Sequence, residues 1–278
     1  MEIVEIFKSI LYGIVEGITE WLPISSTGHM IILNDIISMD VRPEFWDVFL
    51  VVIQLGAILA VVCLFWNKIF PFQSPKNNQS LVKKDTMTLW FKILVACIPA
   101  AIVGVLFDDI LEKYLYNSYV VATMLILFGI GFIIIENKNK SSKARVDSLE
   151  KISYKDALII GIFQLIAAIF PGTSRSGATI LGGISIGVSR TIAAEFTFFL
   201  ATPVMFGASL LKFVKFGFAF TQMELLILLV GSITAFIVSV LAIKFLMGYI
   251  KKHDFKVFGW YRIVLGILIL ILFGLKIL

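Results

Sequence analysis

Apolar residues dominate this chain in blocks whose length, more than their periodicity, is informative. Val48–Trp66, Trp90–Phe107, Tyr119–Ile135, Glu195–Leu211, Leu225–Leu246 and Trp260–Leu275 are each nearly free of charge. Each approaches or exceeds the roughly 20 residues that a helix needs to cross a hydrocarbon core of about 30 Å. The pattern predicts six spanning helices. Two further apolar regions, Ile10–Ile37 and Ala157–Ser189, are long enough to span but are interrupted near the middle by proline and small hydroxyl residues. They are expected to be broken, re-entrant helical hairpins, because irregular backbone at membrane depth survives only where protein buries it or a polar cavity receives it.

The two broken regions match each other. Gly13 overlays Gly161, Glu16 overlays Gln164, Pro23 overlays Pro171, Ser25 overlays Thr173, Ser26 overlays Ser174 and Thr27 overlays Arg175. Leu55-Gly56-Ala57 corresponds to Phe206-Gly207-Ala208, and LVACIPAAIVGVL to LVGSITAFIVSVL. The chain therefore reads as one integral membrane domain made by duplication, with halves of about 1–136 and 157–278 and a connecting loop of about 137–156. Each half is a broken segment followed by three spans. Three is odd, so the second half is inverted relative to the first if the broken segments re-enter rather than cross.

Composition agrees with the membrane assignment and adds orientation. The chain of 278 residues is 59% hydrophobic and 15% charged, with a mean hydropathy of +0.97. A soluble domain is about half apolar and about a quarter charged. The net charge of +5 comes from the polar stretches Asn67–Leu89, which includes Lys68, Lys76, Lys83 and Lys84, Glu136–Asp156 and Gly248–Gly259. By the positive-inside rule these face the cytoplasm, so the charge is no sign of nucleic-acid binding. Ser38–Asp47 and Asp108–Ser118 are acid-rich and read as external. Lys212–Glu224 must also be external, although Lys212 and Lys215 run against the rule. Cys63 and Cys97 fall inside spans and are expected to be buried small apolar residues. Met1–Ile10 lacks the basic segment and cleavage site of a signal peptide.

Chemistry concentrates in the broken segments. In GIVEGITEWLPISSTGH, Glu16 and Glu20 are four residues apart and share one helix face. A carboxylate inside a membrane segment costs about 3 kcal/mol by insertion scales, and two together suit a divalent cation, Mg2+ or Ca2+. Pro23 ends that helix, and Ser25-Ser26-Thr27 can cap the next one, aiming free N–H groups and a positive dipole end at an anion. His29 follows, and it can accept a hydroxyl proton. His253 lies in a basic loop and is expected to be a bystander. The second segment, FPGTSRSGAT, surrounds Arg175 with Thr173, Ser174, Ser176 and Thr179. A mid-membrane arginine that forks onto phosphate oxygens explains that constellation, as does a structural pairing of Arg175 with Glu16 or Glu20. The first half supplies acids and a base, and the second supplies a cation. That set fits phosphoryl transfer better than passage of a solute. A transporter or lipid flippase shares the architecture without needing the reactive set.

EGITEWLPISSTGH and PGTSRSGAT resemble the two signature motifs of the bacterial undecaprenyl-diphosphate phosphatases of the bacitracin-resistance type. The likeness extends along essentially the whole chain, including FWDVFLVVIQLGAILAVV, which contains Gln54. The resemblance implies hydrolysis of undecaprenyl diphosphate to the monophosphate and phosphate. That reaction recycles the lipid carrier of peptidoglycan and other cell-wall polymers and confers bacitracin resistance. It also implies a multi-pass plasma-membrane enzyme, a divalent-cation requirement, an active site open to the outer face, and a homodimer with a polyprenyl diphosphate substrate. The expected catalytic residues are Glu20, Ser26, His29 and Arg175. Ser25, Thr27, Ser174, Arg175, Ser176, Thr179 and Gln54 would bind the phosphates, and Glu16 and Glu20 the metal. Ser26 would attack the terminal phosphorus, with either His29 or Glu20 taking its proton, unless water attacks directly.

Overall fold

The computed structural model describes residues 2–73, 81–140, 142–217 and 219–275; Lys76 lies outside them. Ten α-helices make up the regular structure of the described residues. α1 (Glu2–Thr19) and α2 (Ser26–Ile36) come from the first interrupted region, and α6 (Tyr154–Ile169) and α7 (Arg175–Ser185) from the second. Between and after them run α3 (Pro43–Ile69), α4 (Lys84–Leu115), α5 (Ser118–Lys138), α8 (Arg190–Phe216), α9 (Gln222–Tyr249) and α10 (Lys256–Gly274). The latter six are long and apolar enough to cross a membrane; five contain a predicted span whole, and α10 ends at Gly274, one residue short of the predicted Trp260–Leu275. α4 exceeds its expected span: most of Asp108–Ser118, read as a loop, continues the helix to Leu115. Pro99 sits inside α4 without ending it.

The bundle's outer surface is apolar. Val105 is 76% exposed and Leu241 64%, an arrangement that water disfavours and lipid accepts. Cys63 is exposed too, so it lies on the outer face of α3 and is not buried as expected; a thiol is apolar enough for that surface. Cys97 is half-buried. His253 is exposed and stacks on Tyr249 at 4.4 Å.

Helix packing is exchanged between the two halves. α1 packs on α9 and α6 on α4, while α3 meets α8 and α5 meets α10. Small residues permit the close approach. A Cβ on Gly13 would come 2.9 Å from Thr234 Cβ. Gly161 sits against Ala96 in the same way, and Ala96 corresponds to Gly231 in the overlay that pairs Gly13 with Gly161. Ion pairs tie the end that carries the basic loops. Lys68 meets Glu195 at 2.8 Å and Arg145 meets Asp156 at 2.6 Å. The buried Glu136 receives both Arg190 and the Phe255 N–H. On the same side, Lys151 donates to Asp147 and holds that carboxyl below its usual range.

Candidate active site

The two interrupted regions break in the same manner. α1 ends at Thr19 ahead of Pro23, and α6 ends at Ile169 ahead of Pro171. The next helix in each case starts behind a serine cap with positive φ, Ser25 at 74° and Ser174 at 68°. Each cap side chain accepts the N–H three residues on, Gly28 at 3.4 Å and Gly177 at 3.1 Å. Positive φ at a non-glycine residue is sparsely populated and is typically held by its surroundings at functional sites. Gly172, with φ 85°, makes the tighter second turn, where its missing Cβ leaves room for the Val121 backbone. The caps also correct the overlay. Ser174 is equivalent to Ser25 rather than Ser26, and Gly177 to Gly28, because the second turn is one residue longer after its proline. Arg175 thus occupies the position of Ser26 and not of Thr27.

Glu20 lies between the two helix starts. Ser26 Oγ donates to its Oε2 at 2.8 Å, and Arg175 Nη2 donates to its Oε1 at 2.6 Å. Both partners of this ion pair are largely buried, with 8% of the Glu20 side chain exposed and 14% of the Arg175 side chain. Arg175 also donates to the Thr197 carbonyl from α8 at 3.3 Å. Ser176 Oγ donates to the Glu20 carbonyl at 3.0 Å and lies 3.2 Å from Ser174 Oγ. Acid, hydroxyl, guanidinium and two helix N-termini therefore meet within hydrogen-bonding reach. The first N–H groups of both helices have no intrahelical acceptor and can receive an anion.

Other expected site residues stand differently. His29 does not face Ser26. Its Nδ1 is 2.7 Å from the Ser25 carbonyl and its Nε2 2.6 Å from the Tyr261 hydroxyl. A carbonyl only accepts, so the proton sits on Nδ1 and Nε2 accepts from Tyr261 in neutral imidazole. Of the two bases considered for Ser26, the structure brings Glu20 to the hydroxyl. Thr179 donates back to the Arg175 carbonyl at 2.9 Å and accepts from Thr197 Oγ1 at 2.8 Å. That places it as a brace behind the turn, with no hydroxyl left facing a ligand. Among the described residues no hydrogen bond joins Thr27 or Gln54 to the site.

Glu16 is 1% exposed and its Oε1 has no hydrogen-bond partner. A buried carboxylate oxygen left unpaired, one helical turn from a second carboxylate, fits a hard cation that completes its shell with water and phosphate oxygens. Glu16 and Glu20 are the residues able to hold it. No cluster of three or more acidic, histidine or cysteine side chains suitable for a metal occurs among the described residues.

Sequence reasoning missed the contributions of α8 and α10. Thr197 is fully buried and had no signal to distinguish it. Arg262 is fully buried and donates to the carbonyls of Pro23, Gly172 and Thr173. Its signal was present, as a lone charge inside the apolar block Trp260–Leu275.

Residues 9–268 match the family model described as bacitracin resistance protein BacA. The chain belongs to the BacA family of bacitracin resistance proteins. Its relatives include an undecaprenyl-diphosphatase of Desulfitobacterium hafniense, 63% identical over 99% of both chains. The undecaprenyl-diphosphatase of Enterococcus faecalis is 62% identical over 98% of both chains. Undecaprenyl-diphosphatase 1 of Clostridium acetobutylicum is 62% identical over 98% of this chain and 99% of its own. Both broken segments lie inside the matched range, so the family membership covers the whole site.

Proposed function

We propose that this membrane protein hydrolyses undecaprenyl diphosphate to undecaprenyl phosphate and inorganic phosphate at the junction of its two broken segments. The observation that carries the proposal is Glu20, which divides its carboxylate between the Ser26 hydroxyl and the Arg175 guanidinium. In the mechanism, Glu20 takes the Ser26 proton as Oγ attacks the terminal phosphorus. The bond from that phosphorus to the bridging oxygen breaks, and undecaprenyl phosphate leaves with the bridging oxygen. Arg175, released from Glu20 as the latter is protonated, forks onto the equatorial oxygens, with the free N–H groups at the starts of α2 and α7 beside it. Water then attacks the phosphoserine and the P–Oγ bond breaks; Glu20 returns its proton to Ser26 Oγ, the water's displaced proton passes to solvent, and phosphate leaves. A Mg2+ or Ca2+ ion held by Glu16 and Glu20 would supply neutralisation of the diphosphate charge.

The halves of about 1–136 and 157–278 form an inverted repeat whose broken segments re-enter from opposite faces. The exchanged packing of α1 on α9 and α6 on α4 supports this, as do the matching serine caps. The active site opens to the outer face, supported by the lysines and arginines of the three basic loops. The enzyme works in the bacterial plasma membrane as a homodimer, with the lipid tail of its substrate left among the bilayer chains.

Replacing Ser26 by Ala tests the covalent step. The variant is expected to retain substrate binding and lose turnover, and the parental protein, quenched during turnover, to carry phosphate on Ser26. A Ser26→Ala protein that still turns over at more than about a tenth of the parental rate would show that water attacks directly.

A further inference from the structure

α10 lies outside both signature segments, yet two adjacent side chains reach the site from it. Arg262 Nη1 donates to the Pro23 carbonyl at 3.2 Å. Its Nη2 donates to the carbonyls of Gly172 at 3.0 Å and Thr173 at 2.6 Å. One guanidinium therefore grips both broken turns. All of these acceptors are backbone carbonyls, no carboxylate pairs with Arg262 among the described residues, and its Nε has no partner. The ring of Phe128 lies 5.9 Å from the guanidinium carbon. The absence of side chain at Gly177 keeps the space open, since a Cβ there would come 2.9 Å from Nη1. Next to it, the Tyr261 hydroxyl holds His29 Nε2 at 2.6 Å, with the two rings stacked.

The grip has a directional consequence. A trans peptide is planar, with its N–H pointing opposite its C=O. Fixing the Thr173 carbonyl fixes the peptide that leads into Ser174, the strained cap, and turns the Ser174 N–H away from Arg262. Fixing the Pro23 carbonyl sets the chain two residues ahead of the other strained cap, Ser25. The reacting groups Ser26 and Arg175 directly follow those caps. Strained conformations persist where the surroundings over-determine them, and Arg262 is the group that touches both approaches at once.

We propose that Arg262 is a positioning residue for hydrolysis, locking the two turns into the register in which Ser26, Glu20 and Arg175 align, and that Tyr261 fixes the orientation of His29 from the same helix. The proposal rests on the assignment of the reacting site given above. Its test is steady-state kinetics and thermal melting of purified Arg262→Met, Arg262→Lys and Tyr261→Phe proteins with polyprenyl diphosphate in detergent. Lysine keeps the charge but cannot fork across two turns. Both Arg262 variants are expected to lose about a hundredfold in kcat, the scale of an ångström-level misplacement, with KM changed by less than about threefold. Arg262→Lys is expected to melt near the parental temperature, which a role in folding alone would not combine with a lost kcat. Tyr261→Phe is expected to melt at the parental temperature and to lower kcat several-fold, because the His29 ring at the start of α2 loses its holder. A folded Arg262→Lys protein with parental kcat overturns the positioning role. Failure of both Arg262 variants to fold does so too, by assigning the side chain to the fold alone. A parental kcat in Tyr261→Phe overturns the Tyr261 part. Parental protein that releases no phosphate defeats the assignment of the site itself, whereas an active parent beside unaffected variants defeats only the positioning role.

Discussion

In the proposed mechanism Glu20 carries more of the chemistry than any other residue, because each of its oxygens has a different partner. Glu20→Gln keeps the shape and removes both the base and the countercharge; the rate of phosphate release is expected to fall at least about a thousandfold. Arg175→Lys retains a positive charge and loses the fork, and a fall of about a hundredfold is expected with the protein still folded. Glu16→Gln separates the metal from the base. Its rate should recover with added Mg2+, at a half-saturating concentration raised by about tenfold or more, as read from a Mg2+ titration. The acids and Arg175 were legible in the sequence because a charge within an apolar segment is anomalous. Arg262 was equally anomalous but sat in an otherwise plain span, and its partners are carbonyls, which leave no trace in a sequence. The role of His29 was not legible either. Which way its ring nitrogens point depends on Tyr261, a neighbour 232 residues away.

Among the elements, the two interrupted pairs store strain and the long helices supply rigid walls around them. The serine caps at positive φ make a prediction that runs against ordinary capping. Glycine at a cap loses only a few tenths of a kcal/mol relative to serine, whereas relief of an unfavourable φ is worth on the order of 1 kcal/mol or more. Ser174→Gly should therefore melt at or above the parental temperature, and its turnover should fall because the turn loosens. Gly13→Val has the opposite outcome. It forces a side chain into contact with Thr234 and should cost about 1–3 kcal/mol, while Gly207→Ala, where nothing lies within 4 Å, should be silent; thermal melting distinguishes them. Apolar length revealed all six spans and both interruptions. It did not reveal that α4 runs on to Leu115. Nor did the residue overlay find the extra residue between Pro171 and its cap Ser174, which shows only in the dihedral angles and hydrogen bonds of the caps.

At the scale of the whole molecule, the exchange of α1 and α6 between halves brings the acids of one broken segment to the cation of the other. Neither half holds a complete site, which accounts for motifs separated by about half the chain. The proposed direction of this assembly in the membrane, argued from the basic loops, can be checked by labelling. In a background where Cys63 and Cys97 are replaced, Lys215→Cys is expected to react with a membrane-impermeant thiol reagent added to intact cells. Ser148→Cys should react only after permeabilisation. The reverse pattern would invert the assigned topology. Loop charge is the ground for that orientation, whereas the closure of the basic end by Lys68–Glu195 and Arg190–Glu136 did not show in the sequence, since those partners lie far apart along the chain.

The most direct measurement of the central claim is phosphate release from a polyprenyl diphosphate by the purified protein in detergent, with added Mg2+ or with EDTA, beside Glu20→Ala and Arg175→Ala. Metal-dependent release that both substitutions abolish is the expected result, and it would join the two broken segments in one phosphatase site. Well-folded protein that releases no phosphate, or variants that release it at the parental rate, would contradict the assignment.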